Sequence, residues 1–360
     1  MTSHLAATVN QTDDFNRHFV LLFALATAFL LTLQAAHAQS CAQCSMNAAM
    51  EAPVSASEWT FSKQVNEVQV LFLAAHGGKS ITDLSQADIS IQDDGKAPAA
   101  IFGFRTEHEL PLRVAMVIDT SSSVTSRFRF EQAAASLFLR QALQQENDLA
   151  FVMGFDNHPK VTQDFVHDGN LLSTGIARLH PGGGTALYDA VRTACQILRR
   201  RPEQEMVARV LVVLSDGQNN AGEVSLQGAI DAAQSTEVTI YAVSTNFASS
   251  EIDRDISANL GNKNLHRLAE QTGGRVLMPP TPKAVSQAFT KIGEELRSRY
   301  AISYRPADFA ADGRYRKIKI EAHKAGEKVQ IRARKGYYAS LASGTHSDSA
   351  EADPNLVASR

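Results

Sequence analysis

Five oxygen-bearing side chains have the types and spacing that a metal site requires. Asp119, Ser121 and Ser123 directly follow one short apolar run, and Asp216 directly follows a second. Thr185 comes after three glycines, whose lack of a side chain lets the backbone approach a ligand closely. Carboxylates and hydroxyls are hard oxygen ligands, and neither imidazole nor thiolate stands among them. The pattern therefore predicts Mg²⁺ as the bound ion, with Mn²⁺ or Ca²⁺ as substitutes.

The predicted site has room for a further ligand. Octahedral Mg²⁺ takes about six oxygen ligands, and some of the five residues would act through water. Two carboxylates at most neutralise the ion, so the ion stays electrophilic toward an incoming carboxylate. Chemically, the predicted site is a receptor for a carboxylate.

The two apolar runs, residues 112–118 and 207–214, predict central strands of a parallel sheet that is covered on both faces. Ligands of such sheets collect beyond the carboxyl ends of the strands, so we expect Asp119 and Asp216 to lie side by side. Strand and helix patterns alternate here, which predicts a doubly wound, mostly parallel α/β sheet with helices on both faces, a Rossmann-like arrangement. Further strands are predicted at 149–155, 160–165, 238–243 and 275–278, and helices at 128–143, 185–198, 225–234, 265–271 and 283–299.

The segments on either side of the α/β region have strand patterns only. Strands are predicted at 65–73, 89–92, 100–104 and 301–304, and a hairpin at 317–334. Neither flank has enough strands for a core of its own, so the two together predict one small β-sandwich into which the α/β domain is inserted. The predicted division is a signal peptide at 1–38, a flexible mature N-terminus at 39–59, a β segment at 60–108, the α/β domain at 109–299, a second β segment at 300–340 that pairs with the first, and a disordered tail at 341–360.

The start of the chain predicts export. Residues 19–33 form an apolar segment of signal-peptide length, and Ala-His-Ala at 36–38 is a small-x-small cleavage site. We therefore place the mature protein in the periplasm, on the cell surface or outside the cell. A retained membrane anchor is the alternative, because acidic residues offset the positive charge that precedes the apolar segment.

Composition argues against one class of partner, and the cysteines indicate no metal site. The 360 residues include 35 Lys and Arg against 38 Asp and Glu, and a net charge of −3 does not suggest a nucleic-acid-binding protein. Cys41 and Cys44 form a lone CxxC without the second pair that a zinc ribbon needs, so they are either an exposed redox-labile pair or without function. Cys195 falls within a predicted helix and is expected to be a buried small hydrophobe.

The five predicted ligands together resemble the metal-ion-dependent adhesion site of von Willebrand factor type A domains. The likeness extends in element order over residues 110–297. The phrases at 184–190 and 214–217 are similar to a bacterial branch of exported proteins, in which strand segments such as those at 93–96 and 334–338 flank the domain. The resemblance implies Mg²⁺-dependent protein binding, in which an acidic residue of the partner completes the coordination of the metal.

The sequence departs from the family pattern at two positions that are not ligands. Ser122 stands where glycine is common, and Val124 stands where methionine is frequent. Asp189, one helical turn beyond Thr185, has two interpretations. It either orients a metal-bound water or favours the positive end of its helix, and we do not include it among the ligands.

Other chemistry lacks support in the sequence. Gly-Gly-Lys-Ser at 77–80 mimics the end of a phosphate-binding loop, but Leu73 stands where the first glycine is needed. Neither GxSxG, HExxH nor a paired-histidine zinc signature occurs. We therefore expect a non-enzymatic binding protein. The alternatives are a hydrolase that uses a Mg²⁺-activated water, for which no obvious general base adjoins the site, and an assembly or scaffolding protein with a structural metal.

Overall fold

The computed structural model describes residues 67–339, except residue 78, residues 108 and 109, residue 202, residues 204 and 205, and residues 248–255. The described residues belong to one compact unit, Lys63–Arg360. The predicted signal peptide, the mature N-terminus with Cys41 and Cys44, and the predicted tail lie outside them. No helix in the described part is long and apolar enough to cross a membrane.

The described part of the chain has fourteen strands and six α-helices. The strands are β1 (Val68–His76), β2 (Lys79–Ser80), β3 (Ile89–Asp93), β4 (Ala100–Glu107), β5 (Leu112–Asp119), β6 (Leu149–Phe155), β7 (Pro159–Val166), β8 (Ala208–Ser215), β9 (Thr239–Ser244), β10 (Val276–Leu277), β11 (Arg299–Arg305), β12 (Tyr315–Lys324), β13 (Glu327–Ala333) and β14 (Gly336–Tyr338). The helices are α1 (Phe128–Ala142), α2 (Gly169–Ala177), α3 (Leu187–Arg200), α4 (Leu226–Ser235), α5 (Ile256–Gln271) and α6 (Val285–Leu296).

The central α/β sheet has six strands in the order β10-β9-β8-β5-β6-β7, all parallel to their neighbours except β7, which runs antiparallel to β6. Every residue of β5 is buried, as its apolar run predicted, and the one arginine in that run, Arg113, pairs with Glu203. In the pairing of β5 with β8, Ile118 lies opposite Leu214. This pair lies one residue before Asp119 and two residues before Asp216, so the two strands end at the same edge of the sheet.

Helices cover both faces of this sheet, and each face has its own hydrophobic core. One core contains side chains of α1, α2 and α6, and the other contains side chains of α3, α4 and α5. Cys195 of α3 is fully buried in the second core, as expected. The predicted doubly wound α/β sheet between flanking β-strand segments is confirmed.

Three helices differ from the sequence prediction. Helix α2 was not predicted, because its Gly-Asn-Leu-Leu-Ser-Thr-Gly sequence has no clear apolar period; Asp168 caps it by accepting a hydrogen bond from the backbone nitrogen of Asn170. Helix α5 begins at Ile256 rather than at residue 265, since polar side chains in its first half contact a loop. The helix predicted at 283–299 is a 3₁₀ turn, Pro282–Ala284, followed by α6, and residue 299 already begins β11.

The flanking segments together form one eight-stranded antiparallel sheet. Its main path is β14-β12-β13-β1-β11-β4, with β2 paired to β1 and β3 paired to β12. The sheet curls over its own core, so that the Asp93 carboxylate at the end of β3 accepts hydrogen bonds from the hydroxyls of Tyr304 in β11 and Tyr337 in β14. The two-layer arrangement predicted as a sandwich is thus one continuous curled sheet.

Candidate metal centre

Asp119 is the last residue of β5 and is fully buried. Its Oδ1 accepts a hydrogen bond of 2.8 Å from the backbone nitrogen of Ser121, and its Oδ2 accepts one of 2.8 Å from the hydroxyl of Ser215. Ser215 is the last residue of the neighbouring strand β8. The two central strands therefore hold this carboxylate in one orientation.

The loop after β5 brings two hydroxyls toward the second carboxylate. The Oγ atoms of Ser121 and Ser123 lie 3.0 Å apart, and Ser123 Oγ lies 3.4 Å from Asp216 Oδ2. Ser121 is buried, whereas Ser123 is exposed. The cluster therefore has a buried side, formed by Asp119 and Ser121, and a side that solvent reaches.

Asp216 is held by its own loop and by helix α5. Its Oδ1 accepts a hydrogen bond of 3.0 Å from the backbone nitrogen of Gln218, and its carbonyl oxygen accepts one of 2.8 Å from Nδ2 of Asn246. Gly217 has φ of +79°, and a Cβ atom there would lie 2.1 Å from the carbonyl oxygen of Gly261 in α5. Only glycine permits this conformation together with such close packing, so the helix fixes the position of the second carboxylate.

Thr185 is buried and reaches the cluster through the backbone of its loop. Its backbone nitrogen donates a 2.8 Å hydrogen bond to Asn220 Oδ1, and its carbonyl oxygen accepts one of 3.0 Å from the nitrogen of Asn220. In the preceding turn, the carbonyl oxygen of Gly183 accepts hydrogen bonds from the backbone nitrogen and the hydroxyl of Ser122, at 3.2 and 3.1 Å. Within the described residues, the hydroxyl of Thr185 makes no hydrogen bond to the other four predicted ligands.

The structure thus brings four of the five predicted ligands into one hydrogen-bonded cluster and places the loop of the fifth against it. Burial is the main reason that the pKa of Asp119 is raised to about 6, and the nearby Asp216 carboxylate adds to this effect. A bound cation would relieve the cost of keeping two carboxylates so close together. No three His, Cys, Asp or Glu side chains in the described part form a metal-binding group, so a metal ion held here would need hydroxyl ligands as well as the two carboxylates. This donor set fits Mg²⁺.

The departures from the family pattern and Asp189 have structural roles. The hydroxyl of Ser122 helps to join the first loop to Gly183, and Val124 is fully buried in the core. Asp189 accepts hydrogen bonds from the backbone nitrogens of Glu223 and Val224 at 3.0 and 3.2 Å. Its carboxylate therefore fastens the loop that follows Asp216, a role that neither sequence interpretation included.

Arg127 and Glu131 were not predicted to belong to the site. Arg127 donates hydrogen bonds to the carbonyl oxygen of Ser123 at 3.0 Å, to the hydroxyl of Thr245 at 3.1 Å and to Glu131 at 3.0 Å. Glu131 is fully buried in the first turn of α1. Burial raises its pKa to about 7; Arg127 opposes the rise, and Asp119 and Asp216 add to it. The signal in the sequence was a glutamate on the apolar face of a predicted helix, four residues after an arginine.

Residues 114–218 match the family model of the von Willebrand factor type A domain. The matched range contains all five predicted ligands. Solved structures with a similar fold include a von Willebrand factor type A protein from Catenulispora acidiphila, which is 12% identical with a TM-score of 0.43 over 68% of this chain and 71% of that chain.

Another similar structure is the von Willebrand domain of the type V pili tip protein Mfa5 from Porphyromonas gingivalis, 18% identical with a TM-score of 0.41 over 52% of this chain and 95% of that chain. A third is the PilB minor pilin from Streptococcus sanguinis, 16% identical with a TM-score of 0.41 over 62% of this chain and 66% of that chain. A search of curated proteins gives no significant match. TM-scores and identities this low add nothing to the fold already described.

Proposed function

We propose that this chain, which contains a von Willebrand factor type A domain, is an exported, non-enzymatic protein-binding module whose binding depends on Mg²⁺. The domain assignment supports a protein-interaction module. The metal dependence, the acidic partner and the export are our proposals. For export we rely on the apolar segment and cleavage site in residues 1–38.

The metal proposal rests on the close approach of two loops, one after β5 and one after β8. Ser123 Oγ of the first loop lies 3.4 Å from Asp216 Oδ2 of the second, beside the buried carboxylate of Asp119. We propose that these residues, with Ser121 and Thr185, would hold Mg²⁺, or Mn²⁺ or Ca²⁺ in its place. When bound, such an ion offers an electrophilic position to a carboxylate oxygen of the partner.

The chain's own residues prepare the site for this use. Ser215 and the backbone of Ser121 orient Asp119, and Asn220 holds the backbone of Thr185. The exposed Ser123 leaves one side of the cluster open to a partner. Because these contacts exist within the chain itself, little ordering of the loops would be needed when a partner binds.

The structure gives the hydrolase alternative little support. A Mg²⁺-activated water needs a general base within hydrogen-bonding reach. In the described part, Glu131 is one further carboxylate near Asp119 and Asp216, and it is fully buried with Oε1 bonded to Arg127.

We also propose the domain division stated above, with the type A domain at 109–299 between β segments at 60–108 and 300–340.

The proposal is tested with the purified full chain, the variant Asp119→Ala and the control variant Asp164→Ala, which changes an exposed aspartate on β7. Each protein is immobilised, exposed to a cell-envelope extract in Mg²⁺, and eluted with chelator. We expect the wild type and Asp164→Ala to retain proteins that the chelator releases, and Asp119→Ala to retain none while its circular dichroism spectrum is unchanged.

Three outcomes would overturn the proposal. Binding that persists in chelator would remove the role of the metal. Mg²⁺-dependent turnover of an ester or phosphoester that is lost in Asp119→Ala would favour the hydrolase. Unfolding of the wild type upon chelation would favour a structural metal.

A further inference from the structure

Ser122 joins the first loop of the metal centre to the turn that precedes Thr185. Its backbone nitrogen and its hydroxyl both donate hydrogen bonds to the carbonyl oxygen of Gly183, at 3.2 and 3.1 Å. One carbonyl oxygen can accept both bonds, because it has two lone pairs. A further backbone bond of 2.6 Å runs from the nitrogen of Gly182 to the carbonyl oxygen of Thr120. These bonds connect predicted ligands of two separate loops.

The turn has little freedom to move away from Ser122. Gly183 has φ of +76°, a conformation that favours glycine, and a Cβ atom there would lie 3.0 Å from Nδ2 of Asn157. The backbone nitrogen of Gly184 donates a 3.0 Å hydrogen bond to Oδ1 of the same asparagine. Because Asn157 follows β6, a third element holds the turn in the position from which it contacts Ser122.

The hydroxyl is the part of this contact that depends on the side chain of Ser122. Glycine is common at this position in von Willebrand factor type A domains, and a glycine would supply the backbone nitrogen but no hydroxyl. Glycine would also give the first loop more conformational freedom than serine does. This chain therefore has one more hydrogen bond between the two loops than a glycine would provide, together with a less flexible first loop.

The choice between two ions depends on how freely their ligands can move. Mg²⁺ needs a nearly ideal octahedron of oxygens at about 2.0–2.1 Å, whereas Ca²⁺ takes about six to eight oxygens at about 2.3–2.6 Å in a flexible arrangement. Loops that are already joined lose less freedom when they close around a small ion. They also resist the outward movement that a larger ion requires. A bond between the loops of Ser123 and Thr185 thus favours the smaller ion.

We propose that Ser122 is a positioning residue that raises the preference of the metal centre for Mg²⁺ over Ca²⁺. It acts through Gly183 on the loop of Thr185 and is not itself a ligand. This inference rests on the proposed metal function and adds to it a residue that influences the choice of ion. Since one exposed hydrogen bond is involved, Ser122→Gly should lower the ratio of the Ca²⁺ to the Mg²⁺ dissociation constant by about 3- to 10-fold.

Titration calorimetry of the purified full chain with each of the two ions measures this ratio. The wild type is compared with Ser122→Gly, with Ser122→Ala, which lacks only the hydroxyl bond, and with Ser122→Thr, which keeps a hydroxyl. We expect the ratio to fall most in Ser122→Gly, to fall less in Ser122→Ala, and to keep its wild-type value in Ser122→Thr. The control Ser235→Ala removes an exposed hydroxyl that bonds within α4, and it should leave the ratio unchanged.

Hydrogen exchange of the metal-free chain, measured in chelator, tests the contact without an ion. The backbone nitrogen of Gly184 is bonded to Asn157, and that of Ala186 is bonded to the carbonyl oxygen of Asp156 at 2.7 Å. We expect both amides to exchange about 3- to 10-fold faster in Ser122→Gly than in the wild type, because the turn opens more often. Exchange in Ser235→Ala should match the wild type.

The outcomes separate this inference from the proposed function. An unchanged ion ratio in Ser122→Gly, equal weakening of both ions, or unchanged exchange at Gly184 and Ala186 would each overturn the role of Ser122 while the metal centre stands. A fall of the ratio in Ser122→Thr as large as in Ser122→Gly would show that the hydroxyl is not the cause. A wild type that binds neither ion would overturn the proposed metal centre, and this inference with it.

Discussion

Two buried aspartates, one in each sheet, differ in how their charge is balanced. Asp93 of the curled sheet receives a 2.7 Å ion pair from Arg316 and hydrogen bonds from the hydroxyls of Tyr304 and Tyr337. Asp119 of the α/β sheet accepts hydrogen bonds from the backbone nitrogen of Ser121 and the hydroxyl of Ser215, and burial raises its pKa. Among the described residues, the chain supplies a cation that pairs with Asp93 and none that pairs with Asp119. This difference separates an acid that stabilises the fold from one that is suited to an external ion.

The largest expected effect comes from removing Asp93, the buried aspartate that is paired with Arg316. Asp93→Ala would leave Arg316 without its buried carboxylate and Tyr304 and Tyr337 without their acceptor. We expect the free energy of unfolding to fall by about 3–5 kcal/mol, measured by urea unfolding. The control Asp312→Ala, which changes an exposed aspartate, should alter it by less than about 0.5 kcal/mol. A loss below about 1 kcal/mol in Asp93→Ala would contradict the comparison.

Removing Asp119, the carboxylate without a paired cation in the described part, should weaken metal binding and should not destabilise the fold. Asp119→Ala should weaken Mg²⁺ binding by at least about 100-fold in titration calorimetry, because a direct ligand is lost. In chelator, the same variant should be at least as stable as the wild type, since a carboxylate whose burial is unfavourable has been removed. Unchanged Mg²⁺ affinity, or absence of Mg²⁺ binding in the wild type, would show that Asp119 is not a ligand.

The stability of the metal-free protein should depend on pH in a specific direction. The folded-state pKa rises from 3.8 to about 6 for Asp119 and from 4.5 to about 7 for Glu131. At a pH between the ordinary pKa and the raised pKa of each group, the folded state holds a proton that the unfolded state has lost. Stability therefore falls as the pH rises from about 4 to about 7. For Glu131 the fall is on the order of 3 kcal/mol.

The pH dependence is measured by urea unfolding in chelator. Glu131→Gln cannot ionise, so the part of the slope between about pH 5 and pH 7 should become flatter in this variant. Identical slopes in the wild type and Glu131→Gln would show that this carboxylate ionises without cost in the folded protein.

The smallest expected effect concerns the arginine that supports the first loop. Arg127 contacts none of the predicted ligand atoms, but it holds the carbonyl oxygen of Ser123 and the hydroxyl of Thr245. Arg127→Met, combined with Glu131→Leu so that no buried carboxylate is left unpaired, should weaken Mg²⁺ binding by about 10-fold. Arg129→Met, an exposed position of the same helix, is the control. If the double variant binds Mg²⁺ as tightly as the Arg129→Met control, Arg127 contributes only to stability.

The sequence predicted the elements whose side chains are mostly buried. Strands β5, β6 and β8 were located to within a residue or two, because short, mainly apolar runs indicate central parallel strands. The first half of α5 was not located, because Ser244 and Gly217 bond to the side chains of Asn262 and Asn264, so these positions are polar for a tertiary reason. Local patterns do not contain such contacts.

At the candidate site, too, the sequence predicted the elements but not the tertiary contacts between them. The order of strands and loops was enough to predict that Asp119 and Asp216 lie close together, since parallel strands end at one edge. The supporting side chains Asn220, Ser215 and Arg127 were not predicted, because each acts on a partner that lies far away in the sequence or on backbone atoms. The role of Thr185 as a ligand stays a prediction, since its hydroxyl makes no contact with the other predicted ligands in the described structure.

The pairing of β4 with β11 places Glu107 opposite Arg299, so the chain leaves the curled sheet and returns to it at adjacent positions. The segment between these two residues is therefore joined covalently to the curled sheet at one place, about as wide as one strand spacing. A short turn across that gap would excise the entire α/β part while leaving every strand of the curled sheet its neighbours. The ends of β4 and β11 would also accept a different domain whose termini lie close together. The curled sheet is therefore a scaffold for domain insertion.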